Sequence, residues 1–153
     1  MGRAPFQVLV FPFRAAPDGG FEYALFFRRT ERYGNFWQAI SGGGEDDETP
    51  VQAARREMYE ETRIDTGAEF IQLESMCMLP ADVASGELLW GEEVLVVPEY
   101  TFALRADGQE IRLSPEHEAY RWVDYEAGQD LLRWDSNRNA LWELNYKLTH
   151  GLI

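Results

Sequence analysis

The stretch Ser41–Ile64, SGGGEDDETPVQAARREMYEETRI, restricts the folding options of this 153-residue chain more than any other. It carries a complete helix start signal. Thr49 is followed three residues later by Gln52, which fits a reciprocal capping box, and Pro50 occupies the first helical position, where its missing N–H is not needed. The spacing predicts a helix starting near Pro50. Three consecutive glycines, Gly42 to Gly44, precede it and read as a loop whose bare backbone can approach a ligand.

Seven carboxylates crowd this stretch: Glu45, Asp46, Asp47, Glu48, Glu57, Glu60 and Glu61, with only Arg55 and Arg56 as arginines before Glu61. At 100° per residue, Glu57, Glu60 and Glu61 fall within an arc of roughly 100°. Val51, Ala54 and Met58 form an apolar stripe about a quarter-turn away, and Ala53 lies among the carboxylates, leaving open space beside them. Like charges at this spacing destabilise a helix by a few tenths of a kcal/mol per pair, and Arg56, facing Glu60 one turn on, offsets only part of that. A solvated acidic face is the plain alternative. The glycine run feeding directly into three convergent glutamates favours a hard divalent cation, since magnesium is held by a few carboxylates together with substrate phosphates.

These residues resemble the signature of the Nudix hydrolases, G-x5-E-x7-R-E-U-x-E-E-x-G-U, where U is apolar. Gly42, Glu48, Arg56, Glu57, Met58, Glu60, Glu61 and Ile64 match it, and Arg63 stands where the family has a helix-ending glycine. The resemblance implies an α/β (α+β) fold, an α/β/α sandwich with a mixed central sheet. It also implies hydrolysis of a phosphoanhydride with Mg2+ or Mn2+. On that basis Glu57, Glu60 and Glu61 are expected to bind metal, with a backbone carbonyl near Ser41 or Gly42 as a further ligand. Glu48 and Arg56 are expected to pair and orient the loop on the helix. The general base is expected to be Glu60 itself or Glu116 in SPEHEAYRWV, and His117 receives no role.

Beyond the signature, Phe36-Trp37-Gln38, EHEAYRWVD and Ser136-Asn137-Arg138 resemble the folate-biosynthetic branch of the family, which acts on a pterin triphosphate. That resemblance implies a nucleoside-triphosphate-like small molecule, cleaved to a monophosphate and pyrophosphate. Trp37 would stack on a flat ring, Gln38 would read its edge, and Arg28, Arg29 and Arg138 would meet phosphates. Dinucleoside polyphosphates, nucleoside triphosphates and ADP-ribose remain alternative substrates. A non-catalytic nucleotide-binding module is also conceivable, but it would be expected to lose signature carboxylates, and all are present.

Charge bounds the partners. With 14 basic and 27 acidic residues the chain carries −13, which disfavours nucleic acid and anionic membranes. The single cysteine, Cys77, excludes an internal disulfide and reads as a buried structural thiol. No signal-peptide pattern or membrane-length apolar run appears, so a cytoplasmic protein is expected, as one domain over 1–153. No oligomeric state follows. FQVLVFPF and FEYALFFRR, separated by APDGG, predict a hairpin; AEFIQLESMCML and EEVLVVPEYTFALRA predict later strands, with Pro98 marking an irregularity. Leu141, Leu144 and Leu148 predict a closing helix over Ser136–Leu148, packed through these leucines and Trp142.

Overall fold

The computed structural model of the chain describes residues 2–153. Its elements run β1 (Arg3–Ala15), β2 (Phe21–Thr30), β3 (Gly34–Gln38), β4 (Ile40–Glu45), α1 (Pro50–Thr62), β5 (Ile71–Pro80), α2 (Ala81–Ser85), β6 (Val96–Arg105), β7 (Ala119–Val123), α3 (Tyr125–Leu131) and α4 (Asp135–Thr149). The strands form a mixed sheet in the order β3-β2-β1-β6-β5, with β4 also paired to β1 and β7 to β2. The β1–β6 pairing is parallel and the others are antiparallel.

Strand β1 is the hub because it is apolar on both faces, as a strand covered on both sides must be. Val8 and Val10 join Ala53, Ala54 and Met58 of α1 in one core layer. Leu9, Phe11 and Phe13 join Leu141, Leu144 and Leu148 of α4 in the other. The predicted sandwich is therefore present, with α1 on one face of the sheet and α4 on the opposite face. The predicted hairpin is only partial. β1 pairs with β2 from Phe13 to Ala15, and its middle turns to β4 and β6 instead.

Helix α1 begins as its capping residues dictate. The Thr49 hydroxyl accepts from the Gln52 N–H at 3.3 Å, and the Gln52 side chain accepts from the Thr49 N–H at 2.9 Å. Its end is less ordinary. Arg63 takes the left-handed conformation, φ 62°, and donates its N–H to the Tyr59 carbonyl at 2.8 Å. The helix thus closes with the geometry a glycine would give, carried by a side chain that disfavours it.

Several expectations change. The glycine run is not a loop: Gly42 to Gly44 lie within β4, where Val8 faces Gly42 and Gln7 faces Gly43. Ala53 is buried in the core rather than leaving room beside the carboxylates, and Val51 is exposed. Trp142 is 55% exposed and stacks on Tyr146, so the leucines of α4 serve the core together with Ala140 and without the indole. Cys77 is half-buried on β5. Pro98 sits early in β6, one residue before pairing with β1 begins at Glu99. Two short helices, α2 and α3, were not anticipated. Among the described residues no helix is long and apolar enough to cross a membrane.

Candidate active site

The acidic face of α1 lies against β4, and the glycines of β4 make that approach feasible. A Cβ on Gly42 would stand 2.0 Å from Cδ of Glu57 and 2.3 Å from its Oε1. Glu57 therefore occupies the space that any other residue at 42 would fill. Gly43 and Gly44 make equivalent room for Arg3 and Phe6.

Arg56 gathers the site. Its Nε and Nη2 donate to both oxygens of Glu48, at 2.8 and 3.0 Å, and Nη2 also donates to the Gly43 carbonyl at 2.7 Å. Its Nη1 donates to Glu57 and Glu60, at 2.8 Å each. One planar guanidinium thus ties α1, β4 and the connection between them, a task that its fixed fork of donors suits. The hydrogen bonds from Arg56 hold the Glu48 carboxyl below its ordinary range, although burial opposes them.

Glu61 is held from the other side. Its Oε2 accepts from the Ser114 hydroxyl at 2.6 Å and lies 3.0 Å from Nε2 of His117. Both Glu61 and His117 are buried. Burial pushes the Glu61 carboxyl up, but hydrogen bonds from His117 and Ser114 more than compensate and leave it lowered. Glu116 stands beside Glu61 and is exposed. Partial burial and the Glu61 charge raise its pKa.

Among the described residues no three acidic, histidine or cysteine side chains converge on one point as an ion would require. The geometry shows why. Glu57 and Glu60 are turned onto Arg56, and Glu61 onto Ser114 and His117. The residues nevertheless fit a divalent cation. The donors are hard carboxylate oxygens, and Glu57 is pushed up to about 7 by burial and by Glu60 and Glu61, with Arg56 opposing. A second cation at this face would relieve that strain.

A cavity of about 1350 Å³ continues from this cluster to the start of α4. Its walls include Arg28, Phe36, Gln38, Glu99, Trp134 and Asn137 as well as Glu57, Glu60, Glu61 and Glu116. Asn137 is fixed there by accepting the Ala39 N–H at 2.9 Å, which pins the start of α4 to the junction of β3 and β4. Not every predicted contact is brought together. Trp37 points to the opposite face of β3, where it packs 5.3 Å from Phe27, so the rings on the cavity wall are Tyr33, Phe36 and Trp134, the last two 5.2 Å apart. Arg29 is exposed and paired with Glu118 at 2.6 Å. Arg138 is also exposed and absent from the cavity wall, leaving Arg28 as the member of the predicted arginine set that reaches it.

The NUDIX domain family model matches residues 6–143. The chain belongs to the Nudix family. A Listeria monocytogenes structure described as a NUDIX hydrolase superposes with a TM-score of 0.83 at 37% identity, covering 97% of each chain. The dihydroneopterin triphosphate diphosphatase of Escherichia coli K12 is 34% identical over 110 residues, 70% of this chain and 73% of that one. A Myxococcus xanthus octanoyltransferase is 32% identical over 118 residues, and the chain spans 30% of that protein's length. An RNA pyrophosphohydrolase of Legionella pneumophila is 34% identical over 97 residues, 58% of this chain and 55% of that one. This Nudix hydrolase is thus a pyrophosphatase of a family that acts on small nucleotide-like substrates with divalent metal ions.

Besides Trp134, three site residues are not assigned a role by the sequence alone. Ser114 and His117 flank Glu116 in SPEH, and their closeness to a candidate base was the available signal. Glu99 is a lone acid in the apolar run VLVVPEYTFAL, a pattern that itself marks a buried carboxyl.

Proposed function

We propose that this protein hydrolyses a nucleoside-triphosphate-like substrate, dihydroneopterin triphosphate foremost, releasing the monophosphate and pyrophosphate. The observation that carries the reading is the continuity of one cavity. An acidic cluster at one end leads into a compartment walled by Phe36, Trp134, Gln38 and Asn137. The first suits a polyphosphate carried with cations, and the second suits a flat hydrogen-bonding ring. The 34% identity to a dihydroneopterin triphosphate diphosphatase supports the choice of ring.

Glu57, Glu60 and Glu61 would hold Mg2+, or Mn2+, which when bound neutralises phosphoryl charge and lowers the pKa of a coordinated water. The chain's own groups do the rest. Arg56 keeps Glu57 and Glu60 on the cavity side of α1, and Ser114 and His117 fix the Glu61 carboxylate. Arg28, close enough to lower Glu116 electrostatically, meets the outer phosphates. Glu116, whose proton affinity is raised, receives the proton of the attacking water as oxygen adds to phosphorus and the bridging P–O bond breaks.

The test is a parallel incubation with dihydroneopterin triphosphate, nucleoside triphosphates, diadenosine polyphosphates and ADP-ribose, with products identified by mass. The reading expects pyrophosphate and a pterin monophosphate as the favoured products, and near-complete loss of turnover in Glu60→Gln and Glu61→Gln. Faster cleavage of ADP-ribose or a dinucleoside polyphosphate, or wild-type rates in either variant, would refute it.

A further inference from the structure

The phosphate end of the cavity accounts for the α1 carboxylates but not for a second acid at its far wall. Glu99 is only 4% exposed, yet it lines the cavity. It faces Gln7 across β1 and Cys77 across β5. Its partners are neutral donors: the Cys77 thiol lies 3.5 Å from Oε1, and the side chains of Ser136 and Gln7 also face the carboxyl. No arginine, lysine or histidine pairs with it. A carboxyl removed from water without a cationic partner is costly, and burial raises its pKa although these neutral donors oppose the shift. The same cavity holds a second under-used group. Gln38 is 6% exposed and its Nε2 has no hydrogen-bond partner.

A buried carboxylate held by neutral donors alone and an unfilled amide donor specify a ring edge by their chemistry. A carboxylate accepts two adjacent N–H donors, and an amide nitrogen donates to a carbonyl. The 2-amino-4-oxopyrimidine ring common to guanine and pterins presents carbonyl, ring N–H and exocyclic amine in that order along one edge. Adenine presents an amine beside a bare ring nitrogen, whose lone pair would face the carboxylate. Hypoxanthine keeps the carbonyl and ring N–H but lacks the amine.

We propose that Glu99 is a specificity-determining residue of this site, accepting the ring N–H and exocyclic amine of a 2-amino-4-oxopyrimidine while Gln38 donates to its carbonyl. The proposal rests on the reading that the cavity seats the ring of a triphosphate substrate. It adds that the protein selects guanine-like and pterin rings over adenine through a group on β6, remote in sequence from the Nudix signature.

The test is calorimetric binding of GMP, IMP and AMP without metal, to wild type and to Glu99→Gln, with melting curves to check the fold. The wild type is expected to bind GMP best, AMP worst, and IMP between them. Glu99→Gln presents one donor and one acceptor, so GMP affinity should fall roughly tenfold to a hundredfold while AMP affinity holds or improves. A merely structural role for Glu99 would weaken all three alike. Equal affinities in the wild type, or a GMP preference surviving in Glu99→Gln, would overturn the proposal. Should Glu99→Gln not fold, Glu99→Asp takes its place: it keeps the charge but withdraws the carboxylate, and loss of the GMP preference is expected, whereas an unchanged preference would overturn the proposal. Monophosphate binding needs neither metal nor cleavage. Failure of the reaction reading, seen as no triphosphate turned over with metal present, therefore registers separately.

Discussion

Replacing Gly42 with alanine puts a methyl group where the Glu57 carboxyl lies. The new Cβ would be 2.0 Å from Glu57 Cδ, against an ordinary carbon–carbon contact of about 3.5 Å or more. The backbone of β4 stays extended at this position, with no positive φ, so alanine adds no backbone strain there. Glu57 is the movable partner, and its carboxyl must retreat by about 1.5 Å. Ligand distances in metal sites tolerate about 0.2 Å, and a displacement of about 1 Å in a catalytic constellation costs on the order of a hundredfold. Gly42→Ala is therefore expected to lower kcat/KM about a hundredfold and to raise the Mg2+ concentration needed for half-maximal rate. Its melting temperature should stay within a few degrees of wild type, because the lost chain entropy of glycine works in the variant's favour. The assay is pyrophosphate release across a magnesium titration, paired with thermal melting. Activity within threefold of wild type at every metal concentration would refute the argument that glycine is required here to seat a ligand carboxylate.

Two further outcomes concern stability. Glu143 accepts from the N–H groups of Glu74 and Ser75 at 2.7 Å each, from the Ser75 hydroxyl at 2.6 Å and from Lys147 at 2.8 Å, tying α4 to β5. Burial pushes its carboxyl up, but these donors, Lys147 foremost, bring it from 4.5 down to about 2. A depressed pKa stabilises the fold above the unfolded value and loses that stability as pH falls from about 4.5 towards 2. Glu143→Gln should cost about 2 kcal/mol at neutral pH and flatten acid unfolding in that window, measured by urea melts at several pH values. Arg63→Gly should raise the unfolding free energy by about 0.5–1 kcal/mol, read as a higher urea midpoint, with activity unchanged. It relieves a left-handed arginine that costs about 1–2 kcal/mol, less the entropy of glycine. No gain in stability would contradict the strain assigned to Arg63.

The residues explain what was legible in advance. The start of α1 and the burial of Ala54 and Met58 were readable because capping and helical period are local properties. The pairing of Arg56 with Glu60 follows from the same spacing, whereas its pairing with Glu48 is implied by the resemblance to the Nudix signature. The glycine run was misread because three glycines ordinarily weaken a strand, and here the side chains of Glu57, Arg3 and Phe6 occupy the vacated space. Those neighbours come from distant parts of the chain. Trp37 was misplaced although the needed rule is local: residues in a strand alternate faces, so Trp37 cannot share a face with Gln38. Phe36 and Trp134 meet only because Asn137 anchors α4 at Ala39, a pairing that no local pattern announces. Glu99 reaches the cavity through the parallel pairing of β6 with β1, two strands remote from each other in sequence.

The joint grip of Glu57, Glu60 and Glu61 on a divalent ion is tested most directly by titrating Mn2+ into the protein and following the free-ion signal by electron paramagnetic resonance. The same titration is then run on the three single glutamine variants. Tenfold or greater weakening in each, with the fold intact, is the result expected when carboxylates share an ion. Manganese affinity unchanged by all three substitutions would contradict it.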